Sequence, residues 1–129
     1  MPVSMDWDSS ERVVIRVKFE GVWETGDIQR MINKGVSMVE SVDHKVDSIF
    51  DFTDSQFSPK NLLSTVDRME STHSPKERLV IIVKANVYVR SMAKVASMLA
   101  PKTFAHMRFV NSVDEAFDLI KHQDNPTFA

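Results

Sequence analysis

Leu79-Val80-Ile81-Ile82-Val83 is the stretch that decides the fold. All five residues are apolar and four are β-branched, so the run has no wet side and reads as a strand covered on both faces, interior to a parallel sheet. The pattern repeats outward from it. Asn86 is placed to cap a following helix in which Val89, Met92, Ala93, Ala96 and Leu99 recur on one face, with Pro101 beyond its end. Upstream, Val46-Asp47-Ser48-Ile49-Phe50-Asp51-Phe52 reads as a strand. Ser58-Pro59 then supplies an N-cap and a first-turn proline for a helix through Leu62, Leu63, Val66 and Met69, ending near Thr72.

Toward the amino end, Val13, Ile15, Val17 and Phe19 alternate with Val14, Arg16, Lys18 and Glu20. Period two predicts a strand from Arg12 to Glu20 with one buried face, near an edge and paired antiparallel with a short segment at Met5 to Asp8. Gly21 ends it. Ile28, Met31, Ile32, Gly35, Val36 and Val39 then mark an amphipathic helix over 26–41, with Thr25 or Asp27 as its cap. At the carboxyl end a short strand, His106 to Val110, precedes Ser112-Val113-Asp114-Glu115, a capping box that opens a last helix with Val113, Ala116, Phe117 and Ile120 inward. The predicted class is α/β. Four consecutive βα units with right-handed crossovers give a mostly parallel sheet of four or five strands with helices packed on it, in one domain over 1–129.

Composition narrows the function. A chain of 129 residues, 43% hydrophobic and 26% charged, suits one globular domain. Sixteen Lys and Arg against 18 Asp and Glu leave a net charge of −2, so no overall field draws the chain to nucleic acid or to an anionic membrane. It has no cysteine, which removes thiol nucleophiles, disulfides and zinc–thiolate sites and fits a reducing compartment. With no apolar run near the roughly 20 residues that span a bilayer and no basic-then-apolar start, the expected location is the cytoplasm.

The order strand, strand, helix, then strand and helix three times, resembles the STAS-like domains related to the anti-sigma-factor antagonist of sporulation. The residues that carry the resemblance are Ile49-Phe50-Asp51, the loop to Ser58-Pro59, the strand Leu79 to Val83, and Arg108-Phe109-Val110-Asn111-Ser112-Val113-Asp114-Glu115-Ala116. The resemblance implies a non-enzymatic signalling module that binds a partner protein. In sporulation members a serine in an Asp-Ser-Ser-Gly motif after the matching strand is phosphorylated. Here the corresponding stretch, Asp51-Phe52-Thr53-Asp54-Ser55-Gln56-Phe57-Ser58, keeps an acid and hydroxyls but lacks paired serines followed by glycine. Asp51, Thr53, Asp54, Ser55 and Ser58 are therefore the candidate phospho-switch or partner-binding loop. The plainer reading makes Ser58 a helix cap and Asp54 and Ser55 a local turn.

Related folds with the same βα superhelix resemble lipid-binding domains, which gives the alternative of a small-molecule carrier or sensor. Its pocket rim would be Phe52, Phe57, Asn86, Tyr88, Arg90 and Met92, at the carboxyl ends of the strands. Lys84, Arg90 and Lys94 form either an anion-binding rim or a solvated helix face. The histidines at 44, 73, 106 and 122 are scattered, and of Asp47, Asp51 and Asp54 the second reads as a strand-end residue and the third as a turn former, so neither metal ligation nor acid–base catalysis is expected. Glycines at 21, 26 and 35 form no phosphate-binding run, so no cofactor is expected either. Met31, Met69 and Met92 are read as core filling, and Trp7 and Trp23 as closing the end of the core. Homodimerisation through the first-strand edge is left open, with Arg16, Lys18 and Glu20 blunting that edge.

Overall fold

The computed structural model describes residues 2–56 and 65–123. Among the described residues five strands lie in sequence order across one sheet: β1 (Val3–Trp7), β2 (Val14–Gly21), β3 (Val46–Ser55), β4 (Glu77–Val83) and β5 (Met107–Val110). β1 runs antiparallel to β2 and the other three pairings are parallel. Between and after the strands come α1 (Thr25–Glu40), α2 (Val66–Ser71), α3 (Val87–Leu99) and α4 (Val113–Gln123). The α/β class and mostly parallel sheet expected from the four βα units are what the chain forms.

Register divides the side chains between two faces, because paired residues in a sheet point the same way. Ile15, Val17, Phe19, Phe50, Phe52, Val80 and Ile82 share one face. Three crossovers stepping in one direction with a common hand put α1, α2 and α3 there. The packing agrees: Ile28, Met31 and Ile32 of α1 cluster with β2, and Ala93 of α3 clusters with Val80 and Ile82. Val14, Ile49, Leu79, Ile81 and Val83 point to the opposite face, where Ala116 and Ile120 of α4 cover them. On β2 that second face carries Arg16, Lys18 and Glu20 instead, all exposed, which is why β2 alternates while β4 does not.

β4 is interior, as its composition requires, and Leu79 through Val83 are all buried. Its amino end is pinned by Asp47, whose side chain is 3% exposed and accepts from Arg78 Nε at 2.8 Å, Arg78 Nη2 at 2.5 Å and the Leu79 N–H at 3.0 Å. Carboxylate and guanidinium satisfy each other, and the third bond ties the pair to the backbone between β3 and β4.

Four local expectations change. The cap of α1 is Glu24, whose N–H donates to Asp27 Oδ2 at 2.8 Å; Thr25 and Asp27 already lie inside the helix. β3 extends past Phe52 to Ser55, because its ladder with β2 resumes after an irregularity and pairs Glu20 with Asp54 and Gly21 with Ser55. Asp54 and Ser55 are thus strand residues, not a turn. Leu99 leaves the inward stripe of α3, which runs Val89, Ala93, Ala96 and on to the fully buried Ala100. In α4 the Ser112 Oγ accepts the Glu115 N–H as a capping box requires, but the Glu115 carboxylate takes the N–H of Asn111, one residue earlier than the motif. The proposed cap Ser58-Pro59 and the positions Leu62 and Leu63 lie outside the described residues.

Ile81 is 0% exposed and sits between both covering layers. Ile81→Ala is expected to lower the unfolding free energy by about 2–5 kcal/mol. Leu99→Ala, at a position 56% exposed, should stay within about 0.5 kcal/mol. Urea denaturation of both variants checks the assignment; equal losses would contradict it.

Candidate functional site

The carboxyl ends of β2, β3 and β4 form the rim where both functional readings placed their residues. Asp51, the last core-facing position of β3 on the α4 side, is buried, and its Oδ1 accepts both the N–H of Thr53, at 2.9 Å, and the Thr53 hydroxyl. Thr53 and Asp54 are exposed. Asp54 Oδ2 stands 3.4 Å from Lys18 Nζ, a contact between two solvated side chains that contributes little. Ser55 faces the other way, and its Oγ accepts the indole N–H of Trp23 at 2.9 Å. Ser58 and Phe57 lie outside the described residues.

Trp23, 1% exposed, joins Ser55 to an aromatic group under the helices. Phe19 stacks on Phe52 with centroids 4.3 Å apart and planes at 7°, and Trp23 packs on Phe19 at 4.9 Å. Behind this group lies a cavity of about 80 Å³ lined by Trp23, Phe52, Val66, Met92 and Phe104 among others. A second pocket, of about 120 Å³, lies against α1 and is walled by Met5, Gly35 and Val36 on one side and Thr72, Ser74 and Thr103 on the other.

The proposed pocket rim therefore divides. Phe52 and Met92 meet in the apolar cavity. Asn86 instead caps α3, accepting the Val89 N–H at 2.8 Å as the sequence suggested. Arg90 sits outside the cavity with its guanidinium 5.0 Å above the Phe109 ring and its Nε donating to the Ala85 carbonyl. Tyr88 is partly exposed on α3 and does not line the cavity. Trp23, read as closing the end of the core, does so and lines the cavity, while Phe104, which also lines it, carried no signal in the sequence beyond being a large apolar residue.

Sequence reading missed one polar cluster at the opposite end of the sheet. The Glu70 carboxylate of α2 accepts from the N–H groups of Lys102 and Thr103 at 3.1 and 2.9 Å and from the Thr103 hydroxyl at 3.0 Å. Glu70 thereby ties α2 to the turn after α3. His73 adjoins it, with Nδ1 3.5 Å from Glu77 Oε2 and no hydrogen bond. Among the described residues no group of three or more His, Asp or Glu side chains is arranged to hold a metal ion. Nor is any described helix long and apolar enough to cross a membrane.

No family model and no curated protein matches the chain. A solved structure does: an uncharacterised protein of the DUF3478 family with a SpoIIAA-like fold, from Shewanella loihica PV-4, at a TM-score of 0.62 and 14% identity, covering 91% of this chain and 90% of that one. The fold is SpoIIAA-like. The STAS-like architecture expected from the order of elements is therefore the one the chain adopts. At 14% identity the SpoIIAA-like neighbour speaks for the fold alone.

Glu70 gives this architecture a pH signature. Desolvation pushes its carboxyl up, but the Thr103 and Lys102 N–H groups, the Thr103 hydroxyl and the nearby His73 ring outweigh it, and the pKa falls below the ordinary 4.5. A depressed carboxyl stabilises the fold when ionised, so its contribution is complete above the unfolded value and fades as pH falls through the folded one. The stability difference between the native chain and Glu70→Gln should be constant above about pH 6 and shrink below about pH 4.5. Chemical denaturation across that range measures it. A difference that grows on acidification would contradict the assignment.

Proposed function

We propose that the chain is a non-enzymatic regulatory domain that works by binding another protein through the carboxyl ends of its strands and the adjoining outer face of α3. The observation that carries this reading is the surface of α3, where Val87 and Met98 are each 80% exposed, with Leu99, Val95 and Tyr88 also open to solvent. Scattered apolar residues on a surface need no explanation, but several gathered along one helix mark an interaction site. The resemblance of the sequence to anti-sigma-factor antagonists supports the same class. Thr53 and Asp54 are exposed at the carboxyl end of β3.

The rim suits recognition more readily than a phosphate on Thr53. Its hydroxyl is held by Asp51, and a phosphate there would meet the carboxylates of Asp51 and Asp54. A phosphate on Ser55 would bring charge and bulk against the buried Trp23 indole, which makes Ser55 the more consequential position for a switch.

One observation favours a second reading, an apolar small-molecule carrier: the cavity at Phe52 and Met92 is lined without polar surface. Its size argues the other way. About 80 Å³ is smaller than the roughly 150 Å³ that holds benzene and far below the roughly 300 Å³ of an ordinary ligand pocket.

Site-specific photo-crosslinking in the source cells separates the readings. A crosslinker at Met98 or Val87 should trap the same protein, while one at Asp118 on α4 should not. Adducts of equal yield at all three positions, or none at any, would count against the interaction domain. Native mass spectrometry showing a stoichiometric apolar ligand would transfer support to the carrier.

A further inference from the structure

Resting on the interaction reading, we infer that the outer face of α3 receives an acidic amphipathic helix of a partner protein, its apolar stripe on Val87, Val95 and Met98 and its carboxylates against Arg90 and Lys94. Two features point there, one of charge and one of shape.

From Leu79 to Val113 the sequence contains no Asp or Glu, yet it carries Lys84, Arg90, Lys94, Lys102 and Arg108. The whole chain is net negative at −2, so this stretch is a local reversal of sign that the overall charge conceals. α3 is its centre, and a helix with two exposed cations and no acid complements a partner of opposite charge.

The shape follows from the helical repeat. Val89, Ala93, Ala96 and Ala100 point into the protein. At 100° per residue Val87, Ser91, Val95 and Met98 then form the outward crest, about 16 Å long. Arg90 and Lys94, one turn apart, lie along one flank only, and the stacking of Arg90 on Phe109 identifies it as the flank beside β5. Leu99 and Met92 take the opposite flank, toward α2 and the apolar cavity.

One-sided charge distinguishes the occupants. A helix that lies in a bilayer interface carries cations on both shoulders of its apolar crest, where each reaches a headgroup. A single row of two cations one turn apart instead matches a single row of carboxylates at i and i+4 on an apposed helix. Apolar anchors at i, i+3, i+4 and i+7 of that helix would then fall on the crest.

The test pans a display library of random 16-residue peptides against the full chain and measures the selected peptides by fluorescence anisotropy. Selected sequences should carry acidic residues at i and i+4 beside an apolar stripe. Their affinity should fall at least tenfold for Lys94→Glu and for Met98→Glu, both at exposed positions, with unfolding midpoints unchanged. Arg90→Glu should act in the same direction, and raising the salt concentration should weaken binding to the native chain. Selected peptides without acidic pairs, or ones that bind Lys94→Glu undiminished, overturn the inference and leave the interaction reading standing. If no peptide is selected and the chain cosediments with phosphatidylglycerol vesicles, a bilayer is the occupant, and both the inference and the interaction reading fall.

Discussion

The burial of β4 on both sides is the constraint from which the rest of the structure follows. Leu79, Ile81 and Val83 need cover on one face and Val80 and Ile82 on the other, and neither set is stable in water. Three parallel crossovers supply helices to one face only, so the second must be covered by an element that follows β5. That element is α4, whose buried Ala116 and Ile120 join Leu79, Ile81 and Val83 in one apolar cluster. The two-sided cover stops at β3. Beyond it, on β2, the outer face reverts to Arg16, Lys18 and Glu20, and the strand packs against α1 on its other face.

The same layering determines what each end of the sheet can present. At the amino ends the polar groups are tied to one another: Asp47 to Arg78, and Glu70 to the turn at Thr103. At the carboxyl ends β3 outruns its neighbour β4 and carries Thr53 and Asp54 into solvent. α3 begins at the carboxyl end of β4, with Asn86 fixing its first turn. An interaction surface built on a capped helix is already ordered before binding, which limits the entropy lost on association.

Much of this was legible in the sequence, and the failures have physical causes. β4 could be read from five residues because burial on both faces leaves a signal that no neighbour alters. The Asn86 cap was legible because its bond is local, to Val89 three residues on. The extension of β3 was not, since Thr53-Asp54-Ser55 has turn chemistry and is held in the strand by pairing with β2, more than thirty residues away. Leu99 points outward because apolar identity alone does not fix orientation, and Ala100 occupies the inward position. The crest of α3 was hidden for the same reason, and its charge was hidden by summing over the whole chain. The apolar cavity depends on Trp23, Met92 and Phe104, drawn from three separate segments; Phe52 and Met92 were legible as pocket residues and Trp23 as a core aromatic, while Phe104 gave no signal of its place.

Amide hydrogen exchange resolved to single residues tests the two-sided burial of β4 most directly. The account expects the amides of Leu79 to Val83 to be the slowest in the chain, exchanging only through global unfolding and following its denaturant dependence, while those of β1, at the sheet edge, exchange through local opening. Exchange at Ile81 and Ile82 as fast as at β1 would contradict it.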